Sequence, residues 1–517
     1  MPNRSSDALF QLIKSLEKSE KRNFKLYITR NSSSEDLKSI QLFDAMDKME
    51  EYDEAQLLSK NKNLRKAQLS NAKAHLYREI LSSLRLIRQE DNIDIQLHEQ
   101  LDYARILYNK GLYLQSLRTL DRIKENARAH HQVTFLLQVL FFEKTIESLH
   151  ITRSMQDRAD QLAGEVDAVN EQLRLISQLS NLSLQLYSWY IRNGVARNEK
   201  DEVAVQEFFE KNLPVDLSGS TGFYERLYQY QSFCWYAFIR QDFLLYYRYT
   251  QKWVDLFDKE PFMMVIETSQ YIKGMHNLLG AHFDLLNDQK FTETLKQFEE
   301  FSESEIVKNN VNNRIQTFVY LYISKLNKHF IDGTFTEGLS LVPYIEDKLT
   351  EYWIYLDRHR ILVFYYKIAC LYFGSGDYGN TVDYLNKIIN WKVDNLRTDL
   401  QCYSRLLHLI AHYELGNFDL LEYLIKSVYR FMAKMGNLSL VEEEIFRFLR
   451  KSFTLSPDKL KPEFGKLLEK LKRYEKNRFE TRAFVYLDII SWLESKIEHV
   501  PVQDVIREKY LSGKRRG

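Results

Sequence analysis

Apolar residues recur along most of this chain at the spacing of one helix face. Tyr365, Ile368, Ala369 and Tyr372 stand at positions i, i+3, i+4 and i+7, which places them on one side of an α-helix rather than on an alternating strand. After the next turn the same helical spacing returns at Thr381, Leu385, Ile388 and Ile389. The pattern therefore predicts two helices joined by a short turn.

An aromatic residue follows the predicted inter-helix turn at regular intervals. From Phe243, the next such aromatics come after 48, 44, 43 and 40 residues, at Phe291, Phe335, Tyr378 and Phe418. Fixed periods of about 20 to 50 residues are typical of stacked helical pairs. The recurrence therefore predicts an α-solenoid.

Composition supports a helical chain. The 517 residues include only 17 Gly and 7 Pro, roughly 3% and 1% against averages of about 7% and 5%. Few residues are thus available for hairpins or irregular loops. Hydrophobic residues make up 44% and charged residues 28%, enough to bury a large core beneath a solvated surface. We expect an all-α protein.

The pattern at residues 362–391 resembles the tetratricopeptide repeat. The matching positions are Tyr365, Ile368, Ala369, Tyr372, Gly376, Tyr378, Leu385 and Ile388. A second copy runs from Tyr103, Ala104 and Leu107 through Gly111, Tyr113, Ser116, Leu120 and Ile123. The resemblance implies a right-handed α-solenoid of degenerate tetratricopeptide-like helical pairs, with helical N- and C-terminal regions.

Three regions are predicted along the chain. They are an N-terminal helical region with a basic segment (1–90), a tetratricopeptide-like array (91–435), and C-terminal capping helices with a basic tail (436–517). The stretches "SLEKSEKRNFKLY" and "SWLESKIE" also resemble a family of bacterial proteins of about this length. That second resemblance implies no function.

The stretch "GSGDYG", residues 374–379, matches the glycine pattern of dinucleotide-binding loops. Such a loop must follow a buried strand and open a helix. Here it follows a segment of helical spacing, and the other turns lack its glycines. We therefore predict that the stretch is structural and that no nucleotide or other cofactor is bound.

The net charge is +1, which gives no global attraction to nucleic acid. The strongest local asymmetry lies in residues 60–88, where Glu79 is the single acid. The candidate nucleic-acid contacts there are Lys60, Lys62, Arg65, Lys66, Lys73 and Arg78, followed by Arg85 and Arg88. The alternatives are phosphate contact by a regulator whose repeats act as a sensor, or a solvated helix face.

Catalytic and metal-binding motifs are absent from the sequence. His408 and His412, four residues apart near Cys402 and Glu414, could ligate zinc, but a core or groove role is favoured because no third ligand stands at a telling spacing. Three scattered cysteines, no signal peptide and no apolar stretch of roughly 18 residues favour a cytoplasmic protein without a membrane span. We expect no enzyme activity and no metal.

Aromatic residues make up 14% of the chain, and most are expected in the core. In the architecture that the resemblance implies, first helices line a concave groove that binds a protein or extended peptide. The positions predicted to face it are Tyr228, Trp235, Phe283, Tyr320, Tyr366, Phe373, Tyr403 and Tyr413. The expected function is a scaffold or adaptor. Whether these side chains belong to groove or core is left open.

Overall fold

The computed structural model describes most of the chain. The described residues are 7–29, 34–60, 66–87, 92–150, 157–217, 219, 221–391, 398–435, 438–452, 457–475, 477–480 and 488–513. Their regular elements are helices, and no strand occurs among them. The prediction of an all-α protein is confirmed.

Two compact units divide the chain, Met1–Val169 and Asn170–Gly517. The boundary between the two units falls inside one long helix. The three regions predicted from the sequence, with boundaries at residues 90 and 435, stay a prediction. The helices that begin in the first unit are α1 (Ala8–Ser15), α2 (Lys18–Thr29), α3 (Ser34–Asp47), α4 (Glu54–Lys60), α5 (Lys66–Ile87), α6 (Ile93–Asn109), α7 (Tyr113–Ala129), α8 (Val133–Leu149) and α9 (Arg158–Asn193).

The first unit has an apolar core and a buried ionic cluster. Phe24 and Phe43 lie in the core with ring centroids 4.9 Å apart. Between α7 and α8, the Lys124 ammonium donates to the Glu143 carboxylate at 2.6 Å, and the Glu143 side chain is 0% exposed. Arg158 of α9 also pairs with Glu143. Buried charges are tolerated only when they are paired, so these three side chains tie α7, α8 and α9 together.

The second unit contains the remaining helices. They are α10 (Glu199–Asn212), α11 (Phe223–Ile239), α12 (Phe243–Lys259), α13 (Met263–Ile266), α14 (Thr268–Asp284), α15 (Asp288–Ser302), α16 (Glu305–Lys308), α17 (Val311–Asp332), α18 (Phe335–Gly338), α19 (Val342–Glu351), α20 (Arg358–Ser375), α21 (Tyr378–Ile389), α22 (Thr398–Glu414), α23 (Phe418–Lys434), α24 (Leu440–Ser452), α25 (Pro457–Tyr474), α26 (Ile489–Glu498) and α27 (Val502–Leu511). A 3₁₀ turn, Leu339–Leu341, separates α18 from α19.

Helices that lie near one another in sequence pack together through the second unit. Helix α11 packs on α12, α12 on α14, α14 on α17, and α17 on α20. The C-terminal helix α27 returns to contact both α17 and α20. Their apolar faces form large clusters that include the fully buried Trp253, Phe364 and Trp492.

Short polar residues begin many of these helices. Asp242, Asp357 and Asp377 each precede a helix and accept a hydrogen bond from a backbone N–H of its first turn, which satisfies a donor that the helix cannot pair itself. The turn aromatics predicted at Phe243 and Tyr378 are the first residues of α12 and α21. These local signals explain why the turn positions are readable in the sequence.

The "GSGDYG" stretch joins two helices, as predicted. Helix α20 ends at Ser375, Gly376 adopts φ 86°, and Asp377 caps α21. A Cβ built on Gly374 would overlap the ring of Phe335, which is 6% exposed. Gly374 is therefore required by close packing between α18 and α20, and Gly376 by the left-handed turn.

We predict that Gly374→Ala destabilises the second unit by about 1–3 kcal/mol, because the buried Phe335 ring must shift to admit a methyl group. The measurement is chemical denaturation followed by circular dichroism. Gly379→Ala is the matched control, because the nearest atom to its Cβ is Asp377 Oδ1 at 3.7 Å and alanine favours a helix. Equal midpoints for the two variants would contradict the packing role.

We predict that Glu143→Ala lowers the free energy of unfolding by about 3–5 kcal/mol, because it leaves Lys124 and Arg158 without their shared buried carboxylate. Urea denaturation of the full chain measures the loss. Asp102→Ala removes an exposed carboxylate from its contacts with Arg85 and Arg105 and is expected to cost about 1 kcal/mol or less. A loss of that size for Glu143→Ala would refute the structural role.

Candidate functional site

A cavity of about 830 Å³ lies within the second unit. Its walls come mainly from α9, α11, α14, α17 and α20, with further residues from α12, α18, α22, α25, α26 and α27. Ligand-binding pockets commonly measure about 300–1,000 Å³. The cavity is thus large enough for a small molecule or for a few side chains of a bound peptide.

Five of the eight aromatic residues selected from the sequence line this cavity. They are Trp235, Phe283, Tyr320, Tyr366 and Phe373. Trp235, Tyr366 and Phe373 are 9%, 4% and 4% exposed, so they belong to the packed interior as well as to the cavity wall. Phe283 and Tyr320 are half-buried, so a larger fraction of each side chain is accessible than in the three buried aromatics.

The other three selected aromatics lie away from the cavity lining. Tyr228 is half-buried and stacks on Tyr224, with centroids 6.3 Å apart. Tyr403 is half-buried against the apolar core. Tyr413 contacts the rings of Phe464 and Trp492 edge-on. The burial of Tyr413 among aromatic rings from α25 and α26 makes it a packing residue.

Two groups of stacked rings in the cavity lining form what we call the aromatic wall, namely Tyr187, Tyr190 and Trp235 in one group and His276 and Tyr320 in the other. Tyr190 stacks on Trp235 at 5.7 Å, and Tyr187 lies 4.8 Å from the same indole. In the second group, the His276 imidazole stacks on the Tyr320 ring, with centroids 4.4 Å apart. Such surfaces bind flat or apolar groups through area burial and ring stacking.

Three cations line the cavity beside this wall. The Lys273 ammonium lies 5.0 Å from the Tyr187 ring and 5.5 Å from the Trp235 ring. Arg360 donates to the Tyr320 hydroxyl at 3.3 Å, and Lys367 donates to Asn327 Oδ1 at 2.5 Å. We call Lys273, Arg360 and Lys367 the cation cluster.

Burial lowers the pKa of three titratable side chains of the cavity lining, and repulsion between neighbouring positive charges lowers the pKa of two of them further. Burial, followed by the charge of Arg360, lowers the pKa of Lys273. Burial lowers the pKa of Lys367 to about 8. Burial, together with all three members of the cation cluster, lowers the pKa of His276 to about 3. His276 is therefore neutral at physiological pH, and the two lysines are destabilised as cations.

Two further lysines of the cavity lining, Lys472 and Lys509, are paired with a carboxylate of the same lining. Glu494 pairs with Lys472 at 2.9 Å and with Lys509 at 2.5 Å. Asp488 accepts from the Ser491 backbone N–H at 2.9 Å. The three members of the cation cluster, by contrast, have two carboxylates of the lining near them, Asp284 and Asp357.

Cys370 also lines the cavity, but its environment opposes nucleophilic chemistry. Burial raises the pKa of the Cys370 thiol to about 12, so the thiol stays protonated at neutral pH, whereas a nucleophile requires the thiolate. Cys234, outside the lining, is fully buried and its pKa is likewise raised by burial.

His408 and His412 are buried together on α22. Their Nε2 atoms lie 3.2 Å apart, and Asn417 Nδ2 lies 3.0 Å from His412 Nδ1. Within the residues that the structure describes, no three His, Cys, Asp or Glu side chains converge as a metal site requires. The pair is engaged in local hydrogen bonds inside the core.

The basic segment of the first unit is partly neutralised by neighbouring carboxylates. Lys73 pairs with Asp7 and donates to the Tyr52 hydroxyl at 2.9 Å. Lys66 lies 4.0 Å from Glu54, and Arg78 is exposed. Lys62, Arg65 and Arg88 lie outside the described residues, and Lys60 is described only as the last residue of α4.

No protein-family model, curated protein or solved structure matches this chain. The site must accordingly be interpreted from its own geometry. In the part of the chain with described coordinates, no helix has the length and apolar character needed to cross a membrane.

The sequence prediction missed the cation cluster. Lys273 and His276 are three residues apart on α14, and Arg360, Val363 and Lys367 share one face of α20. A helical wheel could have shown these cations beside the predicted groove aromatics. It could not have shown that α14 and α20 direct them toward the same cavity.

Buried neutral histidines make stability depend on pH, and we predict that His408→Gln reduces this dependence between pH 7 and pH 5. Burial, then His412 and Arg405, lowers the pKa of His408 to about 4, whereas the unfolded value is about 6.5. On acidification the unfolded chain gains a proton first, so stability falls as pH drops.

The measurement is the urea midpoint at pH 7 and pH 5 for the wild type and His408→Gln. His75→Gln is the control, because it makes the same substitution at a histidine that is only half-buried and lies in the first unit. An identical loss of midpoint in the wild type and His408→Gln would rule out a contribution from His408.

Proposed function

We propose that this chain is a cytoplasmic, non-enzymatic scaffold or adaptor of helical repeats that binds a protein partner through an extended peptide. The binding site is the aromatic cavity of the second unit. The observation that carries the proposal is that Trp235, Phe283, Tyr320, Tyr366 and Phe373, which come from four helices, line this cavity together.

The chemistry of these side chains supports recognition of a peptide. Aromatic residues are enriched at binding hot spots because they bury a large area at a small entropic cost. Phe283 and Tyr320 are half-buried, so each retains surface for a partner. The thiol of Cys370 stays protonated and His276 is neutral, so neither of these two side chains is an activated nucleophile. Binding, rather than covalent chemistry, is the use favoured by this lining.

Nucleic-acid binding through the basic N-terminal region ranks second. Its affinity would arise from neutralising phosphates, but Lys73 is engaged by Asp7, and Lys66 stands near Glu54. Lys66, Arg78 and Arg85 are exposed cations of the segment.

We predict that Phe283→Ala and Tyr320→Ala each reduce capture of the partner ten-fold or more. The wild-type chain is crosslinked in its native cell, purified and analysed by mass spectrometry, and the variants are compared by the yield of the same crosslinked protein. Thermal melting reports whether each variant remains folded. Removing a half-buried ring that touches the partner should cost binding more than stability.

Tyr423→Ala is the control, because Tyr423 is 72% exposed on α23 and lies outside the cavity lining. It should capture the partner as the wild type does. Wild-type capture by folded Phe283→Ala and Tyr320→Ala would exclude the cavity as the binding site.

A further inference from the structure

We propose that Lys273, Arg360 and Lys367 form a recognition site for an anionic oxygen group, a carboxylate or a phosphate, on a ligand whose aromatic part lies against Trp235 and Tyr320. The inference rests on the proposed function in that the cavity is taken as the binding site. It adds the chemistry of the bound group. In a peptide partner, this chemistry corresponds to an acidic or phosphorylated residue beside or within an aromatic one.

The first argument is that neighbouring carboxylates neutralise the positive charge of the cation cluster only in part. Among the described residues, no carboxylate is paired with Lys273, and the carboxylate of Asp284, which also lines the cavity, acts electrostatically on Lys367. Arg360 has Asp357 at 3.4 Å. Charges removed from water normally gain a partner of opposite sign. Three cations with two nearby carboxylates, Asp284 and Asp357, leave a net positive charge around the cation cluster.

The second argument is that neutral groups hold the cations in place. Asn327 accepts from Lys367, and the Tyr320 hydroxyl accepts from Arg360. These partners orient the ammonium and guanidinium groups without cancelling their charge. Arg360 keeps further N–H donors, and a guanidinium can bind a carboxylate or a phosphate through two parallel hydrogen bonds.

The third argument is the contrast between the two groups of cations that line the cavity. Lys472 and Lys509 both pair with Glu494, and two more carboxylates, Glu475 and Asp488, line the cavity, so the charges of these two lysines are matched within the chain. The cation cluster lies instead beside the aromatic wall, where Lys273 contacts two rings. The anionic group of a ligand would match the charge of the cation cluster, and the apolar body of the ligand would lie against the aromatic wall. The arrangement thus fits a ligand that is both aromatic and anionic.

The test uses two matched pairs of probes with the full chain. N-acetylphenylalanine carries a carboxylate, and N-acetylphenylalaninamide is its neutral counterpart. N-acetyl-O-phosphotyrosinamide carries a phosphate, and N-acetyltyrosinamide is its neutral counterpart. Isothermal titration calorimetry should give a Kd at least ten-fold lower for the anionic member of one pair or of both. The pair that shows the difference identifies the group as carboxylate or phosphate.

Lys273→Met and Lys367→Met should each raise the Kd of the anionic probe about ten-fold and leave that of the neutral probe unchanged. Both variants should also melt at a temperature equal to or above that of the wild type, because methionine replaces a partly desolvated charge with an apolar group of similar length. A purely structural lysine would not combine weaker binding with unchanged or greater stability. Lys426→Met, on the exposed face of α23, is the control and should change neither quantity.

Equal affinity for the anionic and neutral members of both pairs would overturn the inference. So would undiminished affinity in Lys273→Met and Lys367→Met. If the partner is captured by the wild type and equally by both variants, the inference fails while the proposed function stands. If the anionic probe binds as expected but no captured protein depends on Phe283, the proposed function fails while the cation site stands.

Discussion

Burial of apolar helix faces against the next helices in sequence is the interaction on which the second unit depends. Helices α11, α12, α14, α17 and α20 pack in succession, and each must cover an apolar face from water. A helix has more than one face, so packing against sequence neighbours leaves another side of α11, α14, α17 and α20 for the cavity. The C-terminal helix α27 contacts α17 and α20 and contributes Val502, Ile506 and Lys509 to the lining. Successive packing thus creates the cavity, and the returning helix completes its wall.

Sequence reasoning reached the helical class and many turn positions because both depend on local chemistry. Phe243, Phe335, Tyr378 and Phe418 begin helices in the structure, and each was marked by its place after a turn. Phe291 lies inside α15, three residues after the helix begins at Asp288, so at this position the aromatic does not mark the start of the helix. Such signals need only the few residues on either side. Handedness and repeat register depend on contacts between helices, and the solenoid stays a prediction.

The candidate site was harder to predict because it depends on which helices meet. Trp235 and Tyr413 both read as groove aromatics from their helical positions. Trp235 lines the cavity, whereas Tyr413 is held against Phe464 and Trp492. The helices that enclose Tyr413 lie about 50 to 80 residues further along the chain, beyond the range of any periodicity. The same limit hid the convergence of Lys273 with Arg360 and Lys367.

The contact between Gly374 and Phe335 has a consequence for how selectivity can change. Both residues line the cavity, and the ring of one occupies the space that a side chain at the other would need. A smaller residue at 335 would make room for a side chain at 374, with the total volume nearly conserved, and cores tolerate such exchanges best. The wall would then change shape while the cation cluster stayed in place. Evolution could therefore alter the size of the ligand accepted here without altering the charge that it must carry.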